Sequence, residues 1–510
     1  MELERSSGLL LHPTSLPGPG GVGTLGQSAR RFVDRLAESG QQWWQILPLN
    51  PPGHGGSPYS ATSAFAGNVM LLDPDPLVQQ GWLDDGDVSA FEQKCEKFPD
   101  RRFVIDQVVP EKSRLLKQGA SNWLDDGGRE DADFQAFCRR HGEQWLDDFA
   151  LFTTLQHLHG DRWRRWPDEL VRREPSALQA VRDERRRMID TVKFLQWQFF
   201  RQWRDLRNYA DDRGVRFFGD IPIFVAMNSA EVWARRELFE LDADGDPEAV
   251  AGVPPDYFSE TGQKWGNPLY DWDRLARDDY RWWVDRVGAV LETVDLVRVD
   301  HFRGFEAYWR VPADAETAVD GEWIDGPKDE IFEAIRRRLG VVPFVAEDLG
   351  TITDEVYELR DRQGLPGMKV LQFGFDGNPD HPFLPHTYPE RAVAYTGTHD
   401  NDTTQGWYDG LDEEQKHRVR VYFSHPDEGI VDAMIEGLWE SDAKMTIVPV
   451  QDLFGLGSDH RMNTPGEAEG NWRWRMTAGE LIDDEVFERL RGLTERTGRG
   501  DGDGADRDQA

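Results

Sequence analysis

Cysteine is nearly missing from this 510-residue chain; Cys95 and Cys138 are the only two. Two cysteines exclude a disulfide framework and a cysteine-based structural zinc site. Long apolar runs are missing as well. No stretch of 18 apolar residues occurs, so nothing reads as a membrane span. The start, Met1-Glu2-Leu3-Glu4-Arg5, is charged and lacks the apolar centre of a signal peptide. Lysine is scarce, with ten residues against 49 arginines, and bases are outnumbered by 94 acids to a formal net charge of −35. Phosphate backbones and anionic lipid surfaces repel such a chain, which argues against nucleic-acid and membrane partners. The acid is spread along the chain, as on a solvated surface. Salt screens the self-repulsion that follows, so a salt-rich cytoplasm, and hence a halophilic source, is expected. The expectation is a cytoplasmic monomer or small homo-oligomer.

Aromatic residues are plentiful instead, with 20 Trp. Most serve as core, but flat faces also stack on sugar rings. Eight strand-like apolar runs recur: 9–12, 43–49, 215–223, 296–301, 343–349, 368–375, 392–396 and 445–450. Helix-period segments precede most of them, over 29–39 (capped by Ser28), 278–293, 328–339, 354–363 and 431–440, several closed by Gly. Alternating helix and apolar strand argues a parallel sheet with helices outside, and eight such units argue a closed (β/α)8 TIM barrel.

The spacing is uneven. Residues 1–60 hold the first strands, and 61–210 read as a mainly helical insertion with helices over 134–158 and 188–210. The third strand lies in 211–227. A second insertion, 228–271, carries the turn-rich Leu241–Pro247 and the stiff Gly252-Val253-Pro254-Pro255-Asp256-Tyr257-Phe258, a rigid loop suited to clamping a substrate. The rest of the barrel occupies 272–496. The Gly- and Asp-rich tail 497–510 reads as disordered.

Four apolar runs end in charged residues: Asp220, then Arg298 and Asp300, then Glu347, then His399 and Asp400. A carboxylate at a buried strand end is paired or used. Four of them suggest one site on the C-terminal rim of the barrel. Arg298 and Asp300 share a strand face, so the guanidinium keeps the carboxylate ionised, as a nucleophile or as a structural ion pair. Burial and an anionic neighbour raise Glu347 toward the range of a general acid; otherwise it caps its loop. His399, Asp400 and Asn401 grip hydroxyls or form a turn. His301, His399 and the aspartates also supply metal-ligand atoms, but no closely spaced His pair appears and His301 is expected on the face opposite Asp300. The Asp242–Asp246 stretch lacks the downstream Glu of a calcium loop. Neither metal nor cofactor is therefore expected. An ionised Asp, a protonated Glu and hydroxyl binders together match retaining glycosidic chemistry, in which two carboxyls flank the scissile bond.

These residues sit in longer strings: Leu11-His12-Pro13-Thr14-Ser15-Leu16-Pro17, Ser57-Pro58-Tyr59-Ser60, Gly219-Asp220-Ile221-Pro222-Ile223, 252–270, 298–304, 346–350, 396–401 and Arg461-Met462-Asn463-Thr464-Pro465. In this order they resemble the amylomaltases, 4-α-glucanotransferases related to α-amylases, from about Gly8 to Met476. The resemblance implies transfer of α-1,4-glucan segments to the 4-hydroxyl of glucose or another maltodextrin. It implies Asp300 as nucleophile, Glu347 as acid/base and Asp400 as transition-state stabiliser. It implies substrate binding by Tyr59, Asp220, Asp256, Tyr257, Phe258, Trp265, Arg298, His399 and Asn463. An α-1,4-glucan hydrolase of the same fold is the alternative, and a glucan-binding protein without catalysis is a more distant one.

Overall fold

The structure, a computed structural model, describes residues 3–255, 259–424 and 429–500. Twelve strands are present among them: β1 Ser6–Leu10, β2 Trp43–Gln45, β3 Arg216–Pro222, β4 Ala249–Val253, β5 Gln263–Pro268, β6 Leu296–Asp300, β7 Ala307–Pro312, β8 Glu322–Asp325, β9 Phe344–Ala346, β10 Gly367–Val370, β11 Ala392–Tyr395 and β12 Met445–Pro449. Eight close a parallel barrel in the order β1-β12-β11-β10-β9-β6-β3-β2. They fall on the eight apolar runs, six of them trimmed to the segment that pairs, while β1 starts three residues and β10 one residue ahead of its run. Their side chains are almost wholly buried because helices cover the outside and packed side chains fill the inside.

The connecting helices follow the sequence signals closely. Lys328–Leu339 is helical as read, and Gly340 after it adopts φ 78°, the left-handed cap that glycine takes without strain. Gln27–Glu38 begins earlier than expected: Gly26 occupies the N-cap and Ser28 lies inside the helix. Between β2 and β3 run the long helices Ile105–Asp125, Ala132–His141, Asp147–His159 and Arg186–Asp211. Their contact is aromatic, with Trp123, Phe134, Phe194 and Trp197 packed ring against ring. That cluster takes two of the 20 tryptophans into the core.

Two features depart from expectation. The connections after β3 and after β6 are not free loops; they combine into an antiparallel sheet, β5-β4-β7-β8, standing beside the barrel mouth. And the tail does not become disordered at 497. Arg499 is fully buried and donates to the carbonyls of Trp439, Ser6, Lys444 and Ser441, which ties residues 497–500 to the closing seam of β1 and β12. Four carbonyl acceptors offset the cost of burying that guanidinium. Residues 501–510 lie outside the described residues. Among the described residues no helix is long and apolar enough to cross a membrane.

Candidate active site

Strand register brings the charged residues together. Asp220 lies opposite Arg298, and Pro222 opposite Asp300, across β3 and β6. On the other side Val299 lies opposite Ala346 of β9. The ladder runs one step further, for the Glu347 N–H donates to Val299 O at 3.1 Å. Asp300 and Glu347 therefore leave neighbouring strands at one level, on the C-terminal rim. Beyond β11, Thr398 donates through its N–H and its hydroxyl to Asn401 Oδ1, both at 2.9 Å. Asn401 thus does the turn work, and Asp400 is left facing inward. Asp300, Glu347 and Asp400 line one pocket of about 390 Å3 together with Tyr59, Trp265, His399 and Asn463.

A buried ion network underlies it. Arg298 Nη1 donates to Asp220 Oδ2 at 2.7 Å, and Arg298 Nη2 meets Asp300 Oδ1 at 2.8 Å. The Tyr59 hydroxyl also donates to Asp220 Oδ2, at 2.7 Å, and its ring stacks on His399 at 5.1 Å. Asp220 is thus a strut, with no exposed side-chain surface. Expected to bind substrate, it holds Tyr59 and Arg298 from beneath and does not line the pocket. Arg298, 4% exposed and paired with Asp300, likewise does not line the pocket.

Three carboxylates in one pocket are sorted by their surroundings. Burial raises Glu347 to about 7, opposed by Arg298 and reinforced by the charge of Asp300. Its oxygens accept from His301 N–H at 2.7 Å and Leu349 N–H at 2.9 Å, which fixes its direction. Asp300 corrects the sequence reading. Arg298 does favour its charge, but burial beside Asp220 and Asp400 outweighs the guanidinium and raises it to about 6. Its side chain keeps 30% exposure to the pocket, where water offsets part of that burial. Asp400 goes the other way. Burial works against its charge, yet His399 at 3.2 Å and the Asn463 amide at 2.7 Å hold it well below the ordinary carboxylate range. At neutral pH the pocket therefore offers one largely ionised carboxylate, one carboxyl near half protonation and one permanent anion.

His301 also departs from expectation. Strand alternation puts it on the face opposite Asp300, but its φ of 55° breaks the alternation and brings it into the same pocket under Trp265, ring centroids 4.8 Å apart. Burial, reinforced by Arg303, lowers its imidazole to about 3 and keeps it neutral. Asp348, one residue from Glu347, turns outward. It pairs with Arg360 at 2.5 Å and accepts from Met368 N–H at 2.7 Å. Asp256, Tyr257 and Phe258 lie outside the described residues. Sequence reasoning missed Phe224, Gln263, Asn267 and Trp472, all of which line the pocket. Gln263 and Asn267 stand in β5, which it read as loop, and Phe224 follows the end of β3. The only local sign of Trp472 is its place in the aromatic string Asn471-Trp472-Arg473-Trp474.

Comparison with known proteins agrees with this geometry. A protein described as 4-alpha-glucanotransferase from Thermus thermophilus is 48% identical over 508 residues, covering 98% of this chain and all of its own length. One of the same description from Synechocystis is 45% identical over 502 residues, covering 97% of this chain and 98% of itself. Among solved structures, the amylomaltase from Streptococcus agalactiae in complex with acarbose superposes with a TM-score of 0.94 at 37% identity, covering 98% of this chain and all of that one. The profile of the 4-alpha-glucanotransferase family matches residues 11–481. With its eight-stranded barrel, its three-carboxylate pocket and this likeness along nearly its whole length, the chain belongs to the 4-alpha-glucanotransferase family.

Proposed function

We propose that the chain moves segments of α-1,4-glucan onto the 4-hydroxyl of glucose or of a second maltodextrin by double displacement. A carboxylate of Asp300 attacks the anomeric carbon from the β face. The bond to the leaving oxygen breaks, and that oxygen takes the proton of Glu347. The sugar is then held as an ester on Asp300. The acceptor hydroxyl enters, gives its proton to Glu347 and forms the new α bond as the ester breaks. Two inversions give net retention. Asp400, anionic throughout, grips ring hydroxyls of the distorted sugar, and Tyr59 supplies the flat face beneath it.

The observation that supports these roles is the sorting of three carboxylates within one pocket, with Asp300 titrating below Glu347. That order leaves the nucleophile charged while the acid still holds a proton. Transfer exceeds hydrolysis only if an acceptor sugar outcompetes water, and the stiff segment 252–260, with Trp265 beside it, is the proposed clamp that biases this. Asp256, Tyr257 and Phe258 belong to the same proposal. Incubation with maltotriose tests the reading: longer maltodextrins mean transfer, and shorter sugars alone mean the hydrolase alternative. Removing 252–260 is expected to lower transfer relative to hydrolysis, and an unchanged product ratio rejects the clamp.

A further inference from the structure

Trp472 holds a backbone conformation that a bulky residue rarely adopts. Its φ is 63°, in the left-handed region. The surrounding loop enforces it. Asn471 accepts from Thr464 N–H at 2.9 Å and donates to the carbonyls of Thr464 and Glu467, closing 464–471 into a compact turn. The Trp472 N–H itself donates to Met462 O at 2.7 Å. Strain of this kind persists where the surroundings over-determine it, and it concentrates at ligand clamps. Here it sets the indole against two rings of the pocket, Tyr59 at 5.8 Å and His399 at 5.9 Å.

The chemistry of the bond gives that indole a side. In a glucan ring the anomeric carbon and the 4-oxygen lie at opposite ends. The leaving segment departs toward Glu347, so the rest of the donor extends from the 4-oxygen, away from Glu347. Glu347 is held by His301, and Trp265 packs on His301. Trp265 therefore marks the end where the leaving segment and the acceptor sit. Trp472 joins Tyr59 and His399 at the Asp400 end. We infer that Trp472 is the platform for the donor sugar next to the reacting one, on its non-reducing side, and that it sets the minimum donor length the enzyme uses. The inference rests on the double-displacement reading above.

Double displacement makes it testable, because kcat/KM for donor reports only the first half-reaction and kcat/KM for acceptor only the second. Trp472→Ala is expected to lower kcat/KM for maltotriose as donor about tenfold, the worth of one stacked ring. With glucose as acceptor, kcat/KM stays within about twofold, since the sugar on Asp300 is already in place. Trp265→Ala is expected to lower the glucose value. Trp472→Gly fits the left-handed backbone, so it keeps the fold if the alanine variant does not, and it must show the same donor defect. Trp472→Phe must recover part of it. Equal losses for donor and acceptor, or an unaffected donor value in the glycine variant, would overturn the inference. The underlying reading fails separately, if Asp300→Asn still transfers.

Discussion

Two regions of this molecule bury carboxylates, and they treat them oppositely. One is the seam between the barrel and its helices. There Asp348 pairs with Arg360 and accepts from Met368 N–H. Asp452 accepts from the hydroxyls of Thr396 and Thr404 and from Thr404 N–H, each at 2.6 Å. Fixed donors of the protein satisfy both groups. The other region is the barrel mouth, where Asp300 leans on one guanidinium and keeps an open edge, and Glu347 is aimed by two backbone N–H groups. On the proposed roles, reactivity resides where a buried acid is oriented without being fully satisfied, while more deeply buried acids, such as Asp348 one residue from Glu347, serve as fasteners.

The comparison can be broken most sharply by Asp300→Asn. Transfer should fall by about four orders of magnitude, with the thermal unfolding midpoint kept or raised. A variant that transfers normally would return the mouth to the status of the seam. Asp348→Ala should do the reverse. It leaves Met368 N–H and Arg360 Nη1 without their buried acceptor, although Arg360 keeps Asp361, and should cost about 2 kcal/mol in chemical denaturation, with kcat/KM of the folded enzyme within about threefold. Loss of activity without loss of stability would show that the seam acid takes part in the reaction.

pH sharpens the contrast. The mouth pair carries apparent values of about 6 and about 7. The proposed roles need the first group ionised and the second protonated, so kcat/KM should rise through about 6 and fall through about 7, roughly tenfold per unit on either flank. Both values are raised above those of an unfolded chain. These groups therefore favour folding at low pH and withdraw that support as pH climbs through 6 and 7. Asp400 is depressed, so its support is present above its unfolded value and is lost on acidification. Glu347→Gln should accordingly be more stable than the parent at about pH 8, and an advantage that grows toward acid pH would contradict the assignment. The smallest effect is that of salt. With a net charge of −35, raising ionic strength from about 0.1 M to about 1 M should lift the unfolding midpoint by a few degrees. A midpoint that falls would mean that specific ion pairs outweigh the general repulsion.

The barrel was legible because its strands are buried on both sides and read as unbroken apolar runs between helices closed by glycine. The three pocket carboxylates were legible for the same reason, since charge at the end of such a run has few explanations. What failed to show depends on distant partners. Ala249–Val253 contains small residues and pairs with strands 10 and more residues away, so its sequence looks like loop. Whether Asp220 faces sugar or strut depends on Tyr59, from a turn after β2, and on Arg298, from β6. Arg499 sits among glycines and acids that suggest a loose tail, yet carbonyls from both ends of the chain claim it. No local pattern announces that Asp300 is more buried than its guanidinium can offset, or that Trp472 is bent left-handed.

The small sheet at the mouth has a consequence for redesign. Its strands come as two pairs, β5 and β4 from the connection following β3 and β7 and β8 from the one following β6, and β4 of the first is hydrogen-bonded along β7 of the second. Neither connection is an independent cassette. Exchanging one for that of a relative would leave an orphaned edge in the other and shift Trp265 along with it. Specificity at this wall must be transplanted as a pair.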